Sequence, residues 1–153
     1  MKTRSGREPA EQDAGHAVAA LYRMHYPALV RLAALLVSDL ATAEHIVQDA
    51  FAAVHGRWYL LSNADAALAY LRRSVIHRSR SVPPPGSAGE TGEPGPAVVS
   101  ALRALSACQR EVVVLRYFAD LPEAEIASAT GMSLAAVRNH AAQAMSSLQA
   151  GLG

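Results

Sequence analysis

A chain of 153 residues has room for one ordinary domain or two small ones, and a hydrophobic share of 51% excludes a wholly disordered polypeptide. With 32 alanines and only 5% aromatics the composition favours an all-α fold, since Ala is the best helix former. The net charge of +1 says nothing for or against nucleic acid, and the single cysteine, Cys108, excludes an internal disulfide framework and a Cys-rich zinc site.

No apolar run approaches the roughly 18 residues of a membrane-spanning helix, so no membrane insertion is expected. The opening MKTRSGREPAEQDAG lacks an apolar stretch and does not read as a signal peptide, which makes a cytoplasmic location the expectation. Residues 1–13 read as a disordered tail. Residues 14–80 form a first block. The segment SVPPPGSAGETGEPGP, residues 81–96, holds five prolines and four glycines and reads as a flexible linker. Residues 97–153 form a second block. Charge is uneven between them. Gly15–Ser81 carries seven Arg against four carboxylates, whereas four Arg and four carboxylates cancel beyond Ala97.

In the first block, Val18, Leu21, Tyr22, Leu29, Leu32, Leu35 and Leu36 recur at helical spacing, with Pro27 expected to kink or split the stretch. Asp39 is placed to cap a second helix, DLATAEHIVQDAFAAVH. Its buried stripe is Ala43, Ile46, Val47, Ala50, Phe51 and Val54, leaving Glu44, His45, Gln48, Asp49 and Ala52 outside. An irregular stretch, RWYLLSNAD, leads to a third helix, ADAALAYLRRSVIHRSR, which stops at the prolines. Arg72, Arg73, His77, Arg78 and Arg80 fall within nine residues of it, a plausible phosphate track.

The second block opens with PAVVSALRAL. Ser106 and Gln109 then have capping-box spacing before QREVVVLRYFAD. PEAEIASAT follows, with Pro122 in its first turn and Gly131 at its end, and Ser133 can cap LAAVRNHAAQAMSSLQ. Cys108 reads as a buried or half-exposed thiol. Ala127, Gly131 and Val137 have the spacing of a helix-turn-helix: a small residue for close approach, a left-handed turn, an anchor. Val137, Ala141, Ala144 and Leu148 then face inward, and Arg138, Asn139, Ala142 and Gln143 outward. Arg can bond guanine twice, Asn or Gln can bond adenine twice, and Ala can touch a thymine methyl. The alternative is a solvated face of an ordinary core helix. Six histidines show no HExxH pattern, no Gly-rich phosphate loop or nucleophile elbow is present, and no enzymatic activity or cofactor is expected.

The segment SACQREVVVLRYFADLPEAEIASATGMSLAAVRNHAAQAMSSL resembles region 4 of sigma-70-type factors, and LYRMHYPALVRLAALLVSDLATAEHIVQDAFAAVHGRW resembles region 2. The closest likeness is to extracytoplasmic-function sigma factors, in particular the actinobacterial sigma-E-like subgroup with an ALAYLRRSV-type segment. The resemblance implies two small helical domains and, as partners, core RNA polymerase, promoter DNA and an anti-sigma factor. Region 2 would dock on the β′ clamp helices through Glu44, His45, Gln48, Asp49 and Ala52. It would hold the −10 element with Trp58, Asn63, Asp65, Tyr70, Arg72, Arg73, His77, Arg78 and Arg80. For Trp58 and Tyr70, core packing is an equal alternative. Region 4 would read the −35 element with Ser133, Arg138, Asn139, His140, Ala142 and Gln143, and grip the β flap.

The chain departs from this pattern in three places. His77 stands where Asn is usual and prolines cut the −10 helix short, Arg138 is alone on the recognition helix, and Cys108 stands where Arg or another polar residue is common. Two other readings remain: a LuxR/GerE-type regulator acting without polymerase, and a sigma-like protein that binds polymerase without initiating.

Overall fold

The computed structural model describes residues 7–61, 63–82 and 97–152, which are helical throughout apart from short turns. The expected linker lies outside the described residues from position 83 to 96, as do residues 1–6 of the expected tail.

Helix α1 runs from Arg7 to Val37 without interruption. It therefore begins inside the stretch read as a tail, and it passes through Pro27 without dividing. A mid-helix proline costs about 3 kcal/mol. Leu21 on one side of it and Leu29, Leu32, Ala33 and Leu36 on the other are buried in the same core. Each such leucine contributes about 1.5–3 kcal/mol by burial, which outweighs the penalty.

Ser38 reverses the chain into α2, Leu40–Gly56. Its φ of 61° lies in the left-handed region that favours glycine, and its N–H bonds the Ala34 carbonyl at 2.7 Å. Asp39 caps α2 as expected, accepting from the Thr42 N–H at 3.0 Å and from the Thr42 hydroxyl. The Thr42 hydroxyl first, and its backbone N–H second, hold the Asp39 carboxyl below the ordinary carboxylate range. The expected stripe of six residues is the buried face of α2. After a 3₁₀ turn, Trp58–Leu60, comes α3, Ala64–Ser79, which buries Ala67, Leu71, Val75 and Ile76 against α1 and α2.

The second block has a smaller core. Helix α4, Ala97–Arg103, meets α5, Ala107–Val113, at a complete Ser106–Gln109 capping box. Beyond α5 the chain widens into one π-helical turn, Val114–Phe118, which the sequence pattern did not suggest. The wide turn buries Val114 and Leu115 and leaves Tyr117 and Phe118 half-exposed. Helix α6, Glu123–Thr130, starts one residue after Pro122 and ends at Gly131, whose φ of 81° supplies the expected left-handed turn. Helix α7, Leu134–Leu152, completes the block.

Arg110 holds α4 to α5. Its guanidinium is buried and donates to the carbonyls of Leu102, Arg103 and Leu105 at 2.9, 3.3 and 2.8 Å. They lie at and just beyond the end of α4, where a helix leaves its last carbonyls for side chains to meet. Burial lowers its pKa from the usual arginine value, while the neighbouring Glu111 charge opposes that shift.

The two blocks meet. α6 packs on α3, the π turn touches α1, and the buried side chains of both blocks form one cluster.

Two predictions follow from the α1–α2 junction. Ser38→Gly removes the strained φ and a buried hydroxyl that lacks a partner among the described residues, and should stabilise the chain by about 1 kcal/mol in urea unfolding. Because the Asp39 pKa is lowered on folding, its contribution is complete above its unfolded value of 3.8 and lost as pH falls through the folded value. Between about pH 5 and pH 3 the melting temperature of wild type should therefore fall more steeply than that of Asp39→Asn.

Candidate nucleic-acid and protein interfaces

The outer face of α2 is polar over an apolar spine. Glu44, His45, Gln48 and Ala52 are exposed, and Asp49 is half-exposed at the edge nearest α3. His45 Nε2 lies 3.4 Å from Asp49 Oδ2, and Arg78 Nη1 3.9 Å from the same oxygen. Both contacts are solvated and add little to stability, so the face is free to exchange them for a partner's groups. Tyr22 of α1 borders it, stacked 4.4 Å from Tyr26 and tilted 5.1 Å from Phe51. Desolvation first, then Tyr26 and Glu44, raise the Tyr22 phenol above its ordinary pKa.

The nine residues expected at a −10 strand do not form one surface. Trp58 is half-buried against the core, and the 3₁₀ turn presents its neighbours Tyr59 and Leu60, 82% and 64% exposed. Periodicity cannot reveal this, because three residues of 3₁₀ helix follow neither the 3.6 nor the 2.0 repeat. The Asn63 side chain caps α3, accepting from the Ala66 N–H at 2.9 Å, and Asp65 is exposed in the first turn. Tyr70 packs on the core, with the Arg57 guanidinium 6.0 Å from its ring centre. Arg73 and His77 are exposed, Arg72 is half-buried, and Arg78 Nε donates to Ser74 Oγ at 3.1 Å.

Arg80 turns away from this group towards the second block. Its Nε and Nη2 donate to the two carboxylate oxygens of Glu111 at 2.9 and 2.8 Å, and Nη2 also donates to the Thr130 carbonyl at 2.7 Å. The bond to Glu111 raises the arginine pKa against the opposing effect of burial. Nothing in the sequence marks Glu111 as its partner, since the two lie 31 positions apart on separate blocks.

The helix-turn-helix is assembled as its spacing predicts. Val137 and Ala144 are buried, Ala141 and Leu148 are half-buried, and Arg138, Asn139, Ala142 and Gln143 share the solvent side of α7. The Ser133 hydroxyl is engaged as the cap of α7, accepting from the Ala136 N–H at 3.0 Å. His140 is half-buried, with an Nδ1 that has no partner among the described residues. Glu123, which sequence reading passed over, binds Arg138 Nε at 3.0 Å through one oxygen and Arg116 Nη1 at 3.4 Å through the other. Gln109 Nε2 donates to Gln143 Oε1 at 3.2 Å. Cys108 is exposed, contrary to expectation, because it lies on the solvent side of the first turn of α5.

No helix among the described residues is long and apolar enough to cross a membrane. Two helical blocks, the second carrying a helix-turn-helix, define an all-α protein of the helix-turn-helix class, and comparison with known proteins narrows it. Residues 97–148 match the family model described as Sigma-70, region 4. The RNA polymerase sigma-E factor of Streptomyces coelicolor is 33% identical over 143 residues, covering 83% of this chain and 81% of that protein. Its counterpart in Streptomyces avermitilis is 32% identical over 143 residues, covering 83% and 80%. The structure of CnrH in complex with the cytosolic domain of CnrY superposes with a TM-score of 0.72 at 23% identity, over 93% of this chain and 96% of that one. The chain belongs to the sigma-70 family, among the extracytoplasmic-function sigma factors similar to sigma-E.

The capping role of Asn63 has a direct check. Asn63→Asp should preserve the melting temperature, while Asn63→Ala should cost about 1 kcal/mol, read by thermal unfolding without DNA.

Proposed function

We propose that this sigma factor binds core RNA polymerase and directs initiation at promoters with paired −10 and −35 elements. The observation that carries the reading is the solvent face of α7. Arg138, Asn139, Ala142 and Gln143, the side chains able to read base edges, stand together on the second helix of a helix-turn-helix. The polar face of α2, Glu44 to Ala52, is the proposed dock for the β′ clamp helices. A charged rim over an apolar spine suits a specific, reversible contact. The −10 surface is proposed to comprise Arg72, Arg73, His77 and Arg78 of α3 and Arg80 just beyond its end. Tyr59 and Leu60 join them as exposed groups able to stack on an unpaired base. CnrH forms its complex with the cytosolic domain of CnrY, and an anti-sigma partner is proposed here by that analogy.

One observation favours a second reading. α3 ends at Ser79, which leaves a short basic helix for strand capture, and a protein built so could hold polymerase without melting DNA.

Run-off transcription on fragmented genomic DNA with core polymerase separates the two. Discrete protein-dependent starts with shared upstream elements support initiation. Binding to core without new starts supports the second reading. In the first case Arg138→Ala should weaken promoter binding by about 1–3 kcal/mol and relax preference at one −35 position, measured by binding to single-base promoter variants.

A further inference from the structure

Arg138 is held from outside its own helix. Its Nε donates to Glu123 Oε1 at 3.0 Å, on the helix before it and 15 positions back in the chain. Glu123 is itself well anchored. It stands in the first turn of α6, where the helix dipole favours a carboxylate, and its other oxygen accepts from Arg116 Nη1 at 3.4 Å. Arg116 belongs to the π turn, with its guanidinium 5.6 Å from the Tyr117 ring centre. The Glu123 side chain is 30% exposed and that of Arg138 62%, so the carboxylate is the fixed partner and the arginine the accessible one. Only Nε of Arg138 is engaged. Its Nη1 and Nη2 bond nothing among the described residues.

We propose that Glu123 is a positioning residue for Arg138: it holds Nε, presents Nη1 and Nη2 end-on to a guanine of the −35 element, and discourages the same arginine from settling on DNA phosphate. The proposal rests on the reading of Arg138 as a −35 contact. A guanidinium has two kinds of two-donor edge, Nε with one Nη or the two Nη together. With Nε on Glu123, the terminal edge is the one left to offer. Guanine presents a matching pair of acceptors, O6 and N7, in the major groove. That pair is neutral, so Arg138 can bond it and keep Glu123. A phosphate must instead displace the carboxylate or share one cation with it as a second anion. The Glu123–Arg138 pair is partly solvated, which makes the preference modest in size. Phosphate contacts carry no sequence information directly, so an arginine kept from them adds to selectivity more than to affinity.

The test loads the full chain on core RNA polymerase and sequences the duplexes it retains from a randomised pool, with core polymerase alone as the background. Wild type should enrich guanine at one position that Arg138→Ala flattens. Glu123→Ala should lower that enrichment about fivefold and leave the other positions as they are, a pattern that general loosening of the helix-turn-helix would not give. The same variant, as the full chain alone, should bind a fixed duplex of unrelated sequence more tightly. The slope of log affinity against log salt should steepen by about one, because the released Arg138 gains a phosphate. Glu123→Gln keeps an acceptor for Nε without the charge. It should match Glu123→Ala in slope and keep more of the guanine preference. The proposal is overturned if Glu123→Ala leaves the guanine enrichment unchanged, lowers all positions alike, or leaves the slope at the wild-type value. If Glu123→Ala does not fold, Glu123→Gln decides through the slope. Arg138→Ala keeps the two claims apart. If it flattens no position, the −35 reading of Arg138 falls and the positioning role with it. If it flattens a position that Glu123→Ala does not touch, the positioning role alone falls.

Discussion

Two adjacent charges on α5 tie together elements that the apolar core alone does not hold in register. Arg110 points into the second block and gathers three carbonyls at the end of α4, while Glu111 points out of it and binds Arg80 at the end of α3. On one turn of helix, consecutive residues face directions about 100° apart, so neighbours can serve two different elements. A block of some fifty residues buries too little apolar area to be more than marginally stable. A buried guanidinium that bonds three carbonyls of the α4–α5 junction adds to its cohesion. Removing it would take a charge-assisted donor from all three, at a cost beyond the bonds themselves wherever an acceptor stays buried. The same local helix also fixes where Glu111 sits. Internal cohesion of the second block and its attachment to the first are thereby coupled through α5.

Much of the fold was legible because it is written in local terms. The α2 stripe, the Asp39 and Ser133 caps, the Ser106–Gln109 box and the left-handed Gly131 all depend on residues within four positions of one another. What sequence reading missed depends on distant partners. Pro27 was read as a break because a proline alone disfavours helix, yet leucines on both sides of it share one core. Asn63 was read as a nucleic-acid contact because the resemblance places a base-capturing loop over Trp58 to Asp65, and its side chain is engaged as the cap of α3. Trp58 and Tyr70 divide towards the core, as the blander alternative had it. Arg80 was read with its basic neighbours on α3, but the end of a helix is where a side chain is freest to leave the common face. The π turn likewise has no signature in spacing, because it arises where Leu115 and Leu121 must both be buried.

Glu123 places the recognition helix under similar constraint. It holds Arg138 by one oxygen and Arg116 by the other, so the arginine proposed to read DNA is already paired with a carboxylate. Arg138 and Glu123 are both partly solvated, and a pair of that kind is worth at most about 1 kcal/mol. It orients the side chain at little cost to release it. Arg80 differs in degree: its carboxylate partner is nearly enclosed, and the bond has two prongs and a third acceptor.

That difference sets how readily each arginine is released. A weakly paired arginine exchanges its carboxylate for a competing anion at little cost. A strongly paired one is released only when something else offsets the loss of the pair. A nearly enclosed carboxylate that loses a bonded cation is costly, so the Arg80 pair ties the end of α3 to α5 more firmly than a solvated pair would. The buried side chains of both blocks form one cluster, so apolar contact holds the seam between them alongside this pair, which fixes its register rather than supplying all of its strength.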